Sequence, residues 1–258
     1  MALIIGGHPR SGTTLMARLF GRHPEIGLTF ELQNFAAINS SYWQHLRRIR
    51  KNWYVRGMLR NAARHSPWPA RLHSAGFLAR YALGLLPHAL RPIGVAQIEQ
   101  VLHRLFPGAK LVGDKYPQYV FQLDGLVAEP ALTRVIIYRD GRDVVQSVLA
   151  KVRGAWRDAP LAREWATVDK IALSWVHSIE AMERHRSHLY CLRYEDLVSE
   201  PQPHLKALAE WLGVESTGFR AHIVNDASVG KHRAGLTAHE LELVTEIAGP
   251  TLARLGYR

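Results

Sequence analysis

The chain has 258 residues, 47% of them hydrophobic, enough to enclose a full core and too many for a disordered or fibrous protein. A disulfide framework is excluded, because the single cysteine, Cys191, sits in the apolar run Leu189-Tyr190-Cys191-Leu192 and reads as a packed, inert thiol. The net charge is +11, yet residues 32–98 hold ten Lys or Arg and no Asp or Glu; removing those ten from 33 leaves 23 basic against 22 acidic residues, so the basicity belongs to one segment.

The first residues, Met1 to Ile5, run straight into Gly6-Gly7 without the basic and apolar regions of a secretory leader. A soluble, reducing, cytoplasmic setting is expected, with peripheral contact to a membrane surface left open. Residues 2–5 predict a buried strand entering a glycine turn, and 14–20 a helix. The stretch 41–91, rich in Arg, Trp and Tyr, has helical periodicity interrupted by Ser66-Pro67-Trp68-Pro69 and reads as a helical insertion. Its apolar part, 77–90, is broken by Arg80 and Pro87 and falls short of the roughly 20 residues of a spanning helix.

Further strands are predicted at 110–113, 134–138 and 189–192, and helices at about 142–153 and 167–185. Near the end, Thr237-Ala-His-Glu240 has capping-box spacing and opens a helix over about 238–255. Strands alternating with helices predict an α/β fold, a parallel central sheet flanked by helices, in one domain over 1–258. Ligands of such sheets bind beyond the carboxyl ends of the strands. Arg10 to Thr14, Asp114-Lys115, Arg139 and Arg193-Tyr194 all fall there.

Gly7-His-Pro-Arg-Ser-Gly12-Thr13-Thr14 has the outline of a Walker loop, with threonine in place of the usual lysine. Gly12 admits an anion close to the backbone, and Arg10, Ser11, Thr13 and Thr14 add donors. Loss of the lysine argues against ordinary magnesium-nucleotide hydrolysis. Pro9-Arg-Ser-Gly-Thr-Thr-Leu15 resembles the 5′-phosphosulfate loop of sulfotransferases that use 3′-phosphoadenosine 5′-phosphosulfate (PAPS), nearest to the branch with protein-tyrosine sulfotransferases and bacterial relatives. Tyr138-Arg139-Asp-Gly-Arg-Asp-Val-Val-Gln-Ser147 resembles that family's 3′-phosphate element. The resemblance implies the P-loop NTPase-like sulfotransferase fold and gives the phosphate to Arg139 and Ser147, with Lys151 a further basic ligand. A guanidinium grips phosphate with two bonds and a serine two turns on supplies another donor.

Leu192-Arg193-Tyr194-Glu-Asp-Leu197 looks like the strand end whose tyrosine meets the nucleotide, so Tyr194 takes that role. Ser228-Val-Gly-Lys231-His-Arg233 looks like the late loop that closes on the cofactor. There Ser228 joins the catalytic set and Lys231 and Arg233 bind phosphate. The resemblance spans nearly the whole chain but is thin over 39–108.

The implied reaction is sulfuryl transfer to an acceptor hydroxyl, in which the protein positions the partners and balances charge. Glu31 lies where the tyrosine-sulfating branch keeps its base, with Phe30 and Leu32 expected to desolvate it and raise its pKa; His23 and His8 are alternative bases. Lys115, in Gly113-Asp-Lys-Tyr-Pro117, resembles the lysine that stabilises the transferring group, a salt bridge with Asp114 or a neighbouring helix being its structural alternative. Arg10 would stabilise the leaving oxygen. No metal is expected, since the 14 histidines show no ligand spacing. Two other readings stand beside this one, a P-loop small-molecule kinase and a basic module binding nucleic acid or a membrane surface. No specific nucleic acid is expected; the acceptor class is open, and an anionic surface or acidic partner suits 41–91.

Overall fold

The computed structural model describes residues 1–56, 70–158 and 160–257. Five strands, β1 (Ala2–Gly6), β2 (Ile26–Phe30), β3 (Leu111–Lys115), β4 (Leu132–Tyr138) and β5 (Tyr190–Arg193), form one parallel sheet in the order β2-β3-β1-β4-β5. Among the described residues, the helices of eight residues or more are α1 (Thr13–Phe20), α2 (Tyr42–Arg56), α3 (Ala70–Leu85), α4 (Val95–Leu105), α5 (Gly141–Val152), α6 (Val168–Arg184), α7 (Pro201–Leu212) and α8 (Ala238–Arg254).

The two faces of the sheet explain the composition of its central strand. Successive side chains of a strand point to opposite faces, so a strand covered on both sides must be apolar throughout. Leu3 and Ile5 of β1 enter a core with Met16, Leu19 and Phe20 of α1 and Leu205, Leu208 and Leu212 of α7. Ala2 and Ile4 face the other way, onto Ile49 of α2, Tyr81 and Leu85 of α3 and Ile98 and Leu102 of α4. On that second face, Ile136 of β4 meets a third cluster built from α5, α6 and α8. Helix α6 shows why it docks: Val168, Ile171, Ala172, Trp175, Ile179 and Met182 form one buried stripe at helical spacing.

Register then levels the strand ends. Ile5 lies opposite Lys115 on one side and Val135 on the other, so the chain leaves β1, β3 and β4 at one edge of the sheet. Helix α8 begins as expected, with Thr237 Oγ1 accepting from the Glu240 amide at 3.2 Å and the Glu240 carboxylate accepting from the Thr237 amide at 2.8 Å.

Several expectations are corrected. The edge strand β2 was not among the expected strands, because Ile26-Gly-Leu-Thr-Phe is short and contains a glycine. Asp114 and Lys115 belong to β3 rather than following it, and helix α4 forms where no element was expected. The basic stretch contributes α2 and α3, which pack through Tyr42 Oη donating to the Ala82 carbonyl (3.1 Å) and the contact of His45 Nε2 with Tyr81 Oη (2.9 Å). Its Ser66-Pro67-Trp68-Pro69 interruption lies outside the described residues. Cys191 is half-buried, and burial pushes its thiol up to about 11, which keeps it protonated and inert. Among the described residues, no helix is long and apolar enough to cross a membrane.

Candidate active site

The loop after β1 is a backbone cradle. The Gly7 amide donates to the Pro117 carbonyl and the Ser11 amide to the His8 carbonyl, each at 3.0 Å. Arg10 and Gly12 both have positive φ, 77° and 102°. At Gly12 a side chain is excluded twice, by that φ and because a Cβ would stand 2.6 Å from Tyr194 Cδ2 and 3.0 Å from Ile137 Cδ1. Helix α1 begins at the next residue with no side chain capping its first N–H groups, which leaves them available to an anion. Ser11 Oγ is buried and has no hydrogen-bond partner among the described residues. Thr13 is buried and Thr14 exposed.

Arg139, at the end of β4, closes over this cradle. Its Nη1 donates to the Arg10 carbonyl at 3.3 Å, its Nη2 to Asp143 Oδ2 at 2.9 Å and to the Ser228 carbonyl, and its Cζ stands 4.9 Å from the centre of the Tyr194 ring. Its Nε, like Ser11 Oγ, is buried without a hydrogen-bond partner among the described residues. Trp175 Nε1 donates to the Arg139 carbonyl at 3.1 Å and so fixes the strand end. Arg10 Nε donates to Ser147 Oγ on α5 at 3.0 Å. Burial, and then the charge of Arg139, pull the Arg10 guanidinium below its ordinary pKa: two cations crowd a site that favours an anion between them.

The structure thus brings together Arg10, Ser11, Gly12, Thr13, Arg139, Ser147, Tyr194 and Ser228. Lys151 stands one turn beyond Ser147 on α5, half-buried, while Lys231 and Arg233 are exposed on the late loop. Asp140 caps α5, accepting from the Arg142 amide at 2.9 Å and pairing with its guanidinium at 2.6 Å. Asp143 does something else, reaching across to the late loop.

At the ends of β2 and β3 lies a second set. Lys115 Nζ donates to Glu31 Oε1 at 2.8 Å, and the Glu31 amide donates to the Lys115 carbonyl at 2.6 Å. Lysine 115 therefore pairs with Glu31, not with its neighbour Asp114. The Glu31 carboxylate has a cation as its immediate partner rather than apolar side chains alone. Glu31 and Gln33 have positive φ, 56° and 61°, and the turn is held by Asp114 beneath it. That fully buried carboxylate accepts from Thr29 Oγ1 (2.7 Å), the Leu32 amide (3.1 Å), the Gln33 amide (2.9 Å) and Tyr119 Oη (2.8 Å). Burial pushes its pKa up to about 6, against the pull of those bonds.

Neither histidine suits a base. His8 is buried, stacks on Trp165 with ring centres 5.3 Å apart, contacts the Pro9 carbonyl through Nδ1 at 2.8 Å, and burial drops its pKa to about 4. His23 follows the far end of α1, about 12 Å along its axis from the loop, and contacts the Glu215 carbonyl through Nε2 at 2.8 Å. Sequence reasoning placed Asp114 at a strand end without its role as the support of the Glu31 turn, and gave no role to Asp143 or Trp175. A carboxylate inside the buried run Leu-Val-Gly-Asp-Lys was a usable signal, since a buried charge must find donors. Among the described residues no group of three or more His, Cys, Asp or Glu is placed to hold a metal.

Residues 2–218 match the model described as the sulfotransferase family. Protein-tyrosine sulfotransferase 2 of Gallus gallus is 25% identical over 250 residues, which is 95% of this chain and 58% of that protein. The chain thus spans less than two thirds of that curated relative. Among solved structures, the sulfotransferase domain from the Synechococcus PCC 7002 olefin synthase superposes with a TM-score of 0.60 at 20% identity, covering 96% of this chain and 94% of that one. Sulfotransferase STF9 from Mycobacterium avium gives 0.57 at 16%, covering 100% and 77%. At these identities the likeness is one of fold.

Proposed function

The chain belongs to the sulfotransferase family, and from that premise we propose that it transfers a sulfuryl group from PAPS to an acceptor hydroxyl, leaving 3′-phosphoadenosine 5′-phosphate (PAP). The observation that carries this reading is the pair of buried, unpartnered donors, Ser11 Oγ and Arg139 Nε, beside the crowded cations Arg10 and Arg139. A doubly phosphorylated nucleotide satisfies both the donors and the charge.

PAPS, when bound, supplies an activated sulfuryl group on its 5′-phosphate. The residues divide the remaining work. The loop amides, with Ser11, Thr13 and Thr14, hold the 5′-phosphate. Arg139, Ser147, Lys151, Lys231 and Arg233 hold the 3′-phosphate, and Tyr194 packs at the nucleotide beneath Arg139. Glu31 takes the proton of the acceptor hydroxyl, and Lys115 offsets negative charge on the group in flight. Since Lys115 pairs with Glu31 at 2.8 Å, it must turn from the carboxylate to the transferring oxygens during the reaction, freeing the base as it does so. Arg10 steadies charge on the leaving oxygen, and Ser228 reaches the site from the late loop.

The basic face of α2, with Arg47 and Arg48 exposed, favours an acidic acceptor or one held on an anionic partner, and the tyrosine-sulfating relative makes an acidic tyrosyl peptide the first to test. The experiment is PAP release from PAPS against a panel of tyrosyl peptide, sugar, lipid and phenol acceptors. Acceptor-stimulated release by the wild type, lost in Lys115→Met, supports the assignment; failure of every acceptor together with failure to bind PAP overturns it.

A further inference from the structure

Asp143 stands in the third position of α5 yet does not cap it, because Asp140 does. Its carboxylate is 1% exposed and takes four donors on two oxygens. Oδ2 accepts from Arg139 Nη2 at 2.9 Å and from the Gly230 amide at 2.8 Å. Oδ1 accepts from the His232 amide at 2.9 Å and contacts His232 Nδ1 at 2.8 Å. Burial acts to raise this carboxyl, but the His232 amide, the Arg139 charge and the remaining donors hold it below its usual value.

One carboxylate therefore joins the guanidinium at the end of β4 to a loop some ninety residues later in the chain, as the separations of 87 and 89 residues record. The anchored amides belong to the residues on either side of Lys231, and Arg233 follows directly. Ser228, two residues before Gly230, closes the same circuit by accepting from Arg139 Nη2. The loop, in which Lys231 and Arg233 are exposed and His232 is buried, is thus held at the points that bracket its cations.

Resting on the reading of Arg139 as the 3′-phosphate ligand, we infer that Asp143 is a positioning residue that latches residues 228–233 to Arg139 and thereby sets selectivity for a 3′-phosphorylated nucleotide. It touches no substrate itself. It holds Arg139 in the orientation that presents Nε, and it brings Lys231 and Arg233 to the phosphate that Arg139 grips. Asparagine in its place keeps the shape but turns one acceptor into a donor facing donors, so part of the latch opens.

The test is calorimetric titration of the full chain with PAP and with adenosine 5′-monophosphate, which lacks the 3′-phosphate. In Asp143→Asn the PAP affinity should fall about tenfold or more while the monophosphate changes by less than about threefold, the loss expected when a charged hydrogen bond is broken. Combining Asp143→Asn with the double variant Lys231→Ala/Arg233→Ala should cost little beyond the larger of the two separate losses, because all three substitutions act on one contact. A folded Asp143→Asn protein that keeps its preference for PAP overturns the inference, as does a loss shared equally by both nucleotides. Should Asp143→Asn melt early, His232→Ala decides: it removes one donor to the same carboxylate, so a preference for PAP reduced about threefold or more supports the latch and an unchanged preference overturns it. If the wild type binds no PAP, the functional reading fails rather than the latch within it.

Discussion

Asp114 is a fully buried carboxylate with four donors and, among the described residues, no ion pair, and it should make stability depend on pH in a particular sense. Its folded pKa is pushed up from 3.8 to about 6. A raised acid pKa means that the folded protein binds more protons than the unfolded chain between those values, so stability present below pH 4 is lost as pH rises through 6. The two-unit shift corresponds to about 3 kcal/mol. Asp114→Asn removes this titration, although it also leaves the Gln33 amide facing a donor, at a cost of about 1–3 kcal/mol at every pH. The comparison must therefore be of slopes. Urea unfolding of both proteins at intervals from pH 4 to pH 7, followed by tryptophan fluorescence, should show the wild type losing about 2 kcal/mol of the full ~3 relative to the variant across that window. A parallel pair of curves, or a wild type that gains relative stability with pH, would refute the account of this carboxylate as a buried charge held only by neutral donors.

Three more outcomes follow from the geometry. Gly12→Ala combines left-handed strain with overlap on Tyr194, and should cost about 2–5 kcal/mol of stability, read as a lower melting temperature, together with most of the affinity for PAP. A melting point within a degree or two of wild type would show that the loop yields. Glu31→Gln should lower kcat about 100-fold or more with PAP affinity kept, since only proton removal is lost; an unchanged kcat would take the base role from Glu31. Ser147→Ala should weaken PAP binding about threefold to tenfold in calorimetry, the worth of one hydrogen bond to a charged group, and also frees Arg10 Nε; no change would remove Ser147 from the phosphate site.

How far the sequence was legible depended on the range of the interactions. Strands β1 and β4 declare themselves because both faces are covered, which forces unbroken apolar runs, and α8 because its cap is made within three residues. The phosphate loop is equally local: the conformation of Gly12 and the opening of α1 arise from neighbouring residues. Strand β2 was hidden because its partner β3 lies some eighty residues away and its five residues carry little periodicity. The roles of Asp143 and Asp114 were hidden for the same reason. Asp143 lies in the first turn of α5, where a carboxylate ordinarily serves the helix end, and only the return of residues 228–233 shows what its carboxylate holds. The ion pair of Glu31 with Lys115 depends on two strand ends meeting, and no spacing along the chain predicts it.

The central claim is tested most directly by calorimetric titration of the purified protein with PAP and, separately, with magnesium-ATP, comparing wild type and Arg139→Ala. The account predicts tight, stoichiometric PAP binding that the variant loses, with magnesium-ATP bound more weakly. Preference for magnesium-ATP, or no binding of either nucleotide, would contradict it.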